Sequence, residues 1–356
     1  MKNNSNSIEE IYWLRALACL AIVFLHSIQE SFLYYKGTNN GIIETLLLIF
    51  LIGMMFATPT FVFISEFLLA KKYSTGVPNG FFKKRLLFLG IPYLFMGFIY
   101  ALLDKENHSA VQVIKSTFEN IFLGTFTVYF ILIIFQFYIL HTFFSKYLDK
   151  WSPKVVIPIA LIINAIYLAF FTLTEPANIP YADYIWKRGY WLPFVGWLFY
   201  FVMGYYCGRN YDSFIKTVKK YKVLIALGFV GSLGVVVVFT KMGIILSSKR
   251  PDILLYSTLV TFLIVAIQRS FRKTPQIIYV ISKYSFSIFL IHHLIIHALP
   301  HFNFLNMVSY TVFCFLISLG CSMIIAHFIN KFKYGKFLVG NLGKVPQKSQ
   351  LKKQAS

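Results

Sequence analysis

The sequence predicts an all-α polytopic membrane protein of about ten transmembrane helices, with both termini in the cytoplasm. Three observations predict it. The 356-residue chain is 58% hydrophobic and only 13% charged, too apolar for a soluble protein of this length. Its apolar residues gather into runs of the roughly 20 residues that a helix needs to cross a bilayer. Its 34 lysines and arginines lie in short clusters between those runs, biased to one side.

Ten runs qualify: 11–33, 42–70, 86–103, 119–144, 155–173, 190–208, 222–241, 253–268, 276–298 and 307–330. The second is too long for an upright span and contains Pro59, which predicts a kink or tilt. The eighth is short, and the break between the third and fourth is weakly marked. With the N-terminus inside, the inner segments carry 24 of the 34 cations and the outer loops eight, which makes both termini cytoplasmic. The bilayer is the first expected partner. The first run has no small-residue cleavage site after it and is expected to be a retained span of a multi-pass cell-membrane protein. An integral membrane domain is expected over 1–335, with a basic, disordered cytoplasmic tail over 336–356.

The net charge of +21 does not indicate nucleic-acid binding, because the cations flank apolar spans. Anionic lipids and a phosphate-bearing substrate fit it better. Cys19, Cys207, Cys314 and Cys321 form no Cys-x-x-Cys pair and are expected to be small core residues. No internal repeat, P-loop, Gly-x-Ser-x-Gly elbow or dinucleotide fingerprint is present.

The first span carries two ionisable residues, Arg15 and His26. Eleven residues is about three helical turns, so both share one face, about 16 Å apart along the axis. Ionisable groups in hydrocarbon are costly and are expected to face a polar cavity inside the protein. A neutral imidazole there is a general base for a hydroxyl, and an arginine at the inner mouth is a phosphate ligand. Snorkelling of Arg15 and burial of His26 as a core residue fit the spacing equally well. Lys83-Lys84-Arg85 stand at the cytoplasmic start of the third span, as phosphate ligands for a cofactor such as coenzyme A or as a positive-inside anchor. Glu66, in an apolar run, either pairs with Arg15 or the basic loop, or lies at the interface. On the ninth span His292 is a candidate cavity-facing group. His293 and His297 have a metal-ligand spacing but no acidic partner, so no metal is expected. The loop 174–189 mixes acids, aromatics and a Lys-Arg pair, suiting either a sugar-facing surface or an ordinary interfacial loop.

These elements together resemble the motifs of the membrane-bound acyltransferase family 3. They are Arg15-x10-His26, Phe63-Ile64-Ser65, the basic loop leading to Ile91-Pro92-Tyr93, and Ser285-Phe-Ser-Ile-Phe-Leu-Ile-His292. The resemblance covers about residues 8–335. Residues 122–138 and 194–205 carry a nearer likeness to the poly-N-acetylglucosamine export branch, the adhesion proteins of staphylococcal biofilms. The resemblance implies transfer of an acetyl or succinyl group from cytoplasmic acyl-CoA to a hydroxyl of an extracytoplasmic glycan. It implies His26 as the catalytic residue with Arg15 as its partner. Coenzyme A is expected at Arg15, Lys84 and Arg85, and the acceptor at Glu66, Tyr129 and His292. Any glycosyltransferase would be a separate chain, and polysaccharide export is the alternative role. Two positions depart from the family pattern. Its Ser-Gly-Phe/Tyr is Ser65-Glu66-Phe67 here, and a tryptophan of its fourth span is replaced around Thr127-Val128-Tyr129.

Overall fold

The chain is seen in a computed structural model that describes residues 8–35, 37, 41–73, 76–271 and 273–343. Every regular element among these residues is helical. In order they are α1 Glu9–Tyr35, α2 Gly41–Lys72, α3 Phe81–Leu102, α4 Ala110–Leu123, α5 Phe130–Leu148, α6 Pro153–Leu173 and α7 Ala182–Lys187. Then follow α8 Leu198–Arg209, α9 Tyr211–Lys220, α10 Lys222–Lys241, α11 Pro251–Gln268, α12 Gln276–Ala298 and α13 Met307–Ile329.

Prolines shape two of the long helices. In α2 the turn Met54–Phe56 tightens to a 3-10 helix just before Pro59. Pro59 has no N–H for the carbonyl four residues back and crowds it, so the coil changes there. In α3 a π-helical stretch, Leu86–Gly90, precedes Pro92 for the same reason. Run 119–144 is not one helix. Gly124 closes α4 in the left-handed conformation (φ 60°), and a linker leads to α5. A Cβ at Gly124 would stand 2.8 Å from Leu192 Cδ2, so glycine is required there for space as well as for φ. Run 190–208 is also broken, into two 3-10 turns and the 12-residue α8.

Nine helices among the described residues are long and apolar enough to cross a membrane, and α8 is not among them. Side-chain pairing shows that α8 completes a tenth crossing. Helices α1 and α12 run parallel at a nearly constant offset. Tyr279 donates to Glu9 (2.6 Å), Trp13 to Thr274 (3.1 Å) and Cys19 to the Ser285 carbonyl (3.8 Å). Farther along, His26 meets His292, and Tyr35 donates to the Phe302 carbonyl at 2.8 Å. Nine alternating crossings would make these two helices antiparallel. Counting α8 restores the parity. It descends beside α5, with Tyr205 donating to the Ser145 carbonyl (2.8 Å) and Arg209 to Asp149 (2.7 Å).

Helix α8 also packs on α2 through Gly204 and Gly208. A Cβ at Gly204 would meet the Phe63 carbonyl oxygen at 2.8 Å, and one at Gly208 would overlap the Phe67 carbonyl. Small residues four apart let the two backbones touch, the usual source of helix association in lipid. Gly208→Ala is expected to destabilise the protein by about 1–3 kcal/mol through overpacking. A lowered unfolding midpoint in detergent, compared with Gly231→Ala, where a Cβ meets nothing within 4 Å, would check this.

The stretch after the expected boundary at 335 is described only to residue 343. Residues 336–343 pack on the bundle: Phe337 tilts on Phe88 (5.3 Å), Val339 is buried, and the Gly340 carbonyl accepts from Asn330 at 3.1 Å. Apolar residues within this basic stretch hold it down. The remainder of the expected tail, 344–356, lies outside the described residues.

Candidate active site

Helix α1 runs unbroken from Glu9 to Tyr35, so Arg15 and His26 do lie on one rod, about 16 Å apart along its axis. Both are half-buried, and each has its own cluster.

The Arg15 cluster comes from α1, α3 and α5. Arg15 lies in electrostatic range of Tyr138 and Arg85. The Arg85 guanidinium stands over the Tyr138 ring (5.2 Å) and the Phe81 ring (5.0 Å). Neither arginine has a carboxylate partner among the described residues. Two guanidinium groups in electrostatic range of each other repel unless an anion lies between them. Lys84, one turn position away, is exposed.

Glu66 is not paired with Arg15 or the basic loop, and it does not lie at the interface. It is fully buried, and its Oε1 stands 2.6 Å from His141 Nδ1 on α5, while His141 Nε2–H donates to the Tyr73 carbonyl at 2.9 Å. Glu66 Oε2 and Ser65 Oγ have no hydrogen-bond partner. Residues 65–67 lie inside α2, so glutamate in place of the family's glycine continues the helix with no tight turn.

The His26 cluster comes from α1 and α12. Ring centroids lie 5.4 Å apart for His26 and His292, 4.7 Å for His26 and His293, and 4.2 Å for His293 and His297. Glu30 lies 3.2 Å from His297. His26 Nδ1–H donates to Gln29 Oε1 at 2.9 Å, which leaves the Nε2 lone pair free to take a proton. His292 Nδ1–H donates to the Ile288 and Phe289 carbonyls (2.9 and 3.0 Å), and its buried Nε2 has no partner. Two imidazoles here each have one nitrogen fixed and the other open. Phe289, Phe130 and Phe61 floor the cluster, with Phe130 and Phe289 4.3 Å apart. No group of three or more His, Cys, Asp or Glu among the described residues is arranged to hold a metal ion.

Tyr129 lies in the linker before α5, with its ring 4.0 Å from that of Trp191. Trp191 brings a tryptophan to this region. It arrives from the far side of the sequence, in the 3-10 turn after the 174–189 loop. Lys249 extends over both rings, 4.9 Å from Tyr129 and 4.6 Å from Trp191, and lies in electrostatic range of His26. At the same end a cavity of about 440 Å³ is lined by Tyr34, Tyr35, His301 and Asn306, among others. Neither Trp191, Lys249 nor His141 was foreseen as part of a site.

A family model described as an acyltransferase domain, the acyltransferase 3 family, matches residues 8–327, the stretch that holds both clusters. The chain belongs to this family. It is a multi-pass membrane acyltransferase. It is 38% identical over 352 residues to the "Putative membrane-bound acyltransferase YfiQ" of Bacillus subtilis, covering 96% of each chain. It is 25% identical over 339 residues to a "Probable poly-beta-1,6-N-acetyl-D-glucosamine export protein" of Staphylococcus aureus, covering 93% of this chain and 95% of the relative. It is 26% identical over 356 residues to the protein of that name in Staphylococcus epidermidis, covering 97% of each. No solved structure matches the acyltransferase.

Proposed function

We propose that this acyltransferase takes an acetyl or succinyl group from cytoplasmic acyl-CoA and delivers it to a hydroxyl of an extracytoplasmic glycan, such as a cell-surface polysaccharide. The observation that carries this is the division of labour along α1. Two uncompensated arginines stand at one end, and two imidazoles with free nitrogens stand near the other. The positive-inside bias puts the Arg15 end in the cytoplasm. Arg15 and Arg85 hold the coenzyme A phosphates, with exposed Lys84 adding charge at the mouth. The pantetheine arm is long enough to span the roughly 16 Å to His26. His26 Nε2 takes the proton of the acceptor hydroxyl as its oxygen attacks the thioester carbonyl. The tetrahedral intermediate then expels the coenzyme A thiolate, and the imidazolium returns the proton to it. His292 Nε2 accepts a hydrogen bond from the acceptor, which stacks on Tyr129. Glu66 supports the helix that carries it and does not touch the acceptor. A glycosyltransferase on a separate chain supplies the polymer.

Purified protein in liposomes, supplied with acyl-CoA and an oligosaccharide, should release free thiol and add one acyl mass to the sugar. Arg15→Gln and Arg85→Gln should each raise KM for acyl-CoA about tenfold, the weight of one charge-assisted hydrogen bond. Unchanged KM values in both would remove the phosphate site. The names of the staphylococcal relatives favour a second reading, polysaccharide export. Surface polymer that persists without acyl substitution and vanishes with the gene would favour that role.

A further inference from the structure

The aromatic pair near His26 carries charge that a neutral sugar does not need. Tyr129 and Trp191 come together from the linker before α5 and the loop before α8, and Lys249 comes from the loop before α11. Arg188 adds a second cation, 5.9 Å from the Trp191 ring, while donating to the Gly124 carbonyl at 2.7 Å. Neither Lys249 nor Arg188 has an ion pair among the described residues. The nearest carboxylate in sequence, Asp252, is engaged by the buried Arg250, at 2.5 and 2.9 Å. The Glu30 carboxylate faces His297. Lys249 is half-buried, so bulk water does not fully screen it.

An ammonium resting on two aromatic faces is held less strongly than one in a charge-assisted hydrogen bond to an anion. The rings hold Lys249 in place, and its ammonium has no ion pair among the described residues. Aromatic faces take the apolar face of a pyranose, and two cations beside them take an acidic substituent. We infer that the acceptor is an acidic glycan, carrying a carboxylate or a phosphodiester beside the hydroxyl that is acylated, and that Lys249 determines this preference by binding the anion. The inference rests on the reading of His26 as the acylation centre. It separates this chain from enzymes acting on uncharged or amino-sugar polymers.

The test uses full-length protein in liposomes with acetyl-CoA and three acceptors of equal length: a hexuronic acid oligosaccharide, a glycerol-phosphate-linked one and a neutral one. The parent should prefer one or both acidic acceptors by about tenfold or more in KM. That preference should fall as salt rises. Lys249→Gln should bring the acidic-to-neutral ratio close to one, mainly through KM, and Lys249→Arg should restore much of it. Equal use of all three by the parent would overturn the inference, as would equal loss on all three in Lys249→Gln. A Lys249→Gln defect confined to succinyl-CoA with the neutral acceptor would assign the cation to the donor's carboxylate and overturn it too. Calorimetric binding of the same sugars separates the two readings. Acidic binding that needs Lys249, with no thiol release in any arm, would sink the transfer scheme and keep the site. Transfer without acidic preference would do the opposite.

Discussion

Replacing His26 by glutamine is expected to lower acyl transfer by about 10²–10⁴-fold, the usual contribution of a positioned general base. The loss should fall on kcat, with KM for acyl-CoA little changed, because the proposed donor-phosphate site lies three turns away. The imidazole suits this task by its fixed tautomer. Gln29 accepts from Nδ1, so the lone pair is at Nε2, and Gln29→Leu should cost a smaller factor, roughly tenfold, by releasing the ring. His292 is the competing base, since its Nε2 is also unpartnered and the rings are 5.4 Å apart. Thiol release measured for His26→Gln and His292→Gln, each checked for normal insertion, decides between them. Full activity in His26→Gln with loss in His292→Gln would transfer the role to α12. Full activity in both would end the proposed mechanism.

The parts of the candidate site that lie on one helix could be placed relative to each other from the sequence, and the meetings across helices could not. Arg15 and His26 could be placed together because helical periodicity fixes relative position within α1. The ninth-span histidines drew notice because ionisable groups in apolar runs demand a reason. Trp191, Lys249 and Arg188 sit in loops, where no period constrains direction, and they meet Tyr129 from 59 to 120 residues away in sequence. The run 119–144 read as one span because its composition stays apolar through Gly124. Only the crowding by Leu192 shows why the chain turns there. The run 190–208 was counted as a span on composition, and its broken helix still completes the crossing that α12 requires. His141 sits near the basic and polar residues that end α5, yet it is wholly buried against Glu66.

Removing either member of that Glu66–His141 pair is expected to be the most damaging change away from the reacting atoms. Both side chains are fully buried. Together they bind α2 to α5 and, through the Tyr73 carbonyl, fix the end of α2 where the chain turns toward the arginine of α3. With one proton shared between carboxyl and imidazole the pair is neutral overall, which is how two ionisable groups persist in such a place. Glu66→Leu leaves an imidazole nitrogen without a partner, and His141→Leu leaves a carboxyl alone. Each should cost about 3–5 kcal/mol, seen as a fall in the unfolding midpoint in detergent. The double variant Glu66→Leu/His141→Leu should be more stable than either single one, because no unpaired polar group remains and leucine packs in lipid-like surroundings. Glu66→Gln should be milder, since an amide can still bond Nδ1. A double variant as unstable as the sum of the two single ones would show that the residues act separately, and the pair would then have no part in holding Arg85 opposite Arg15.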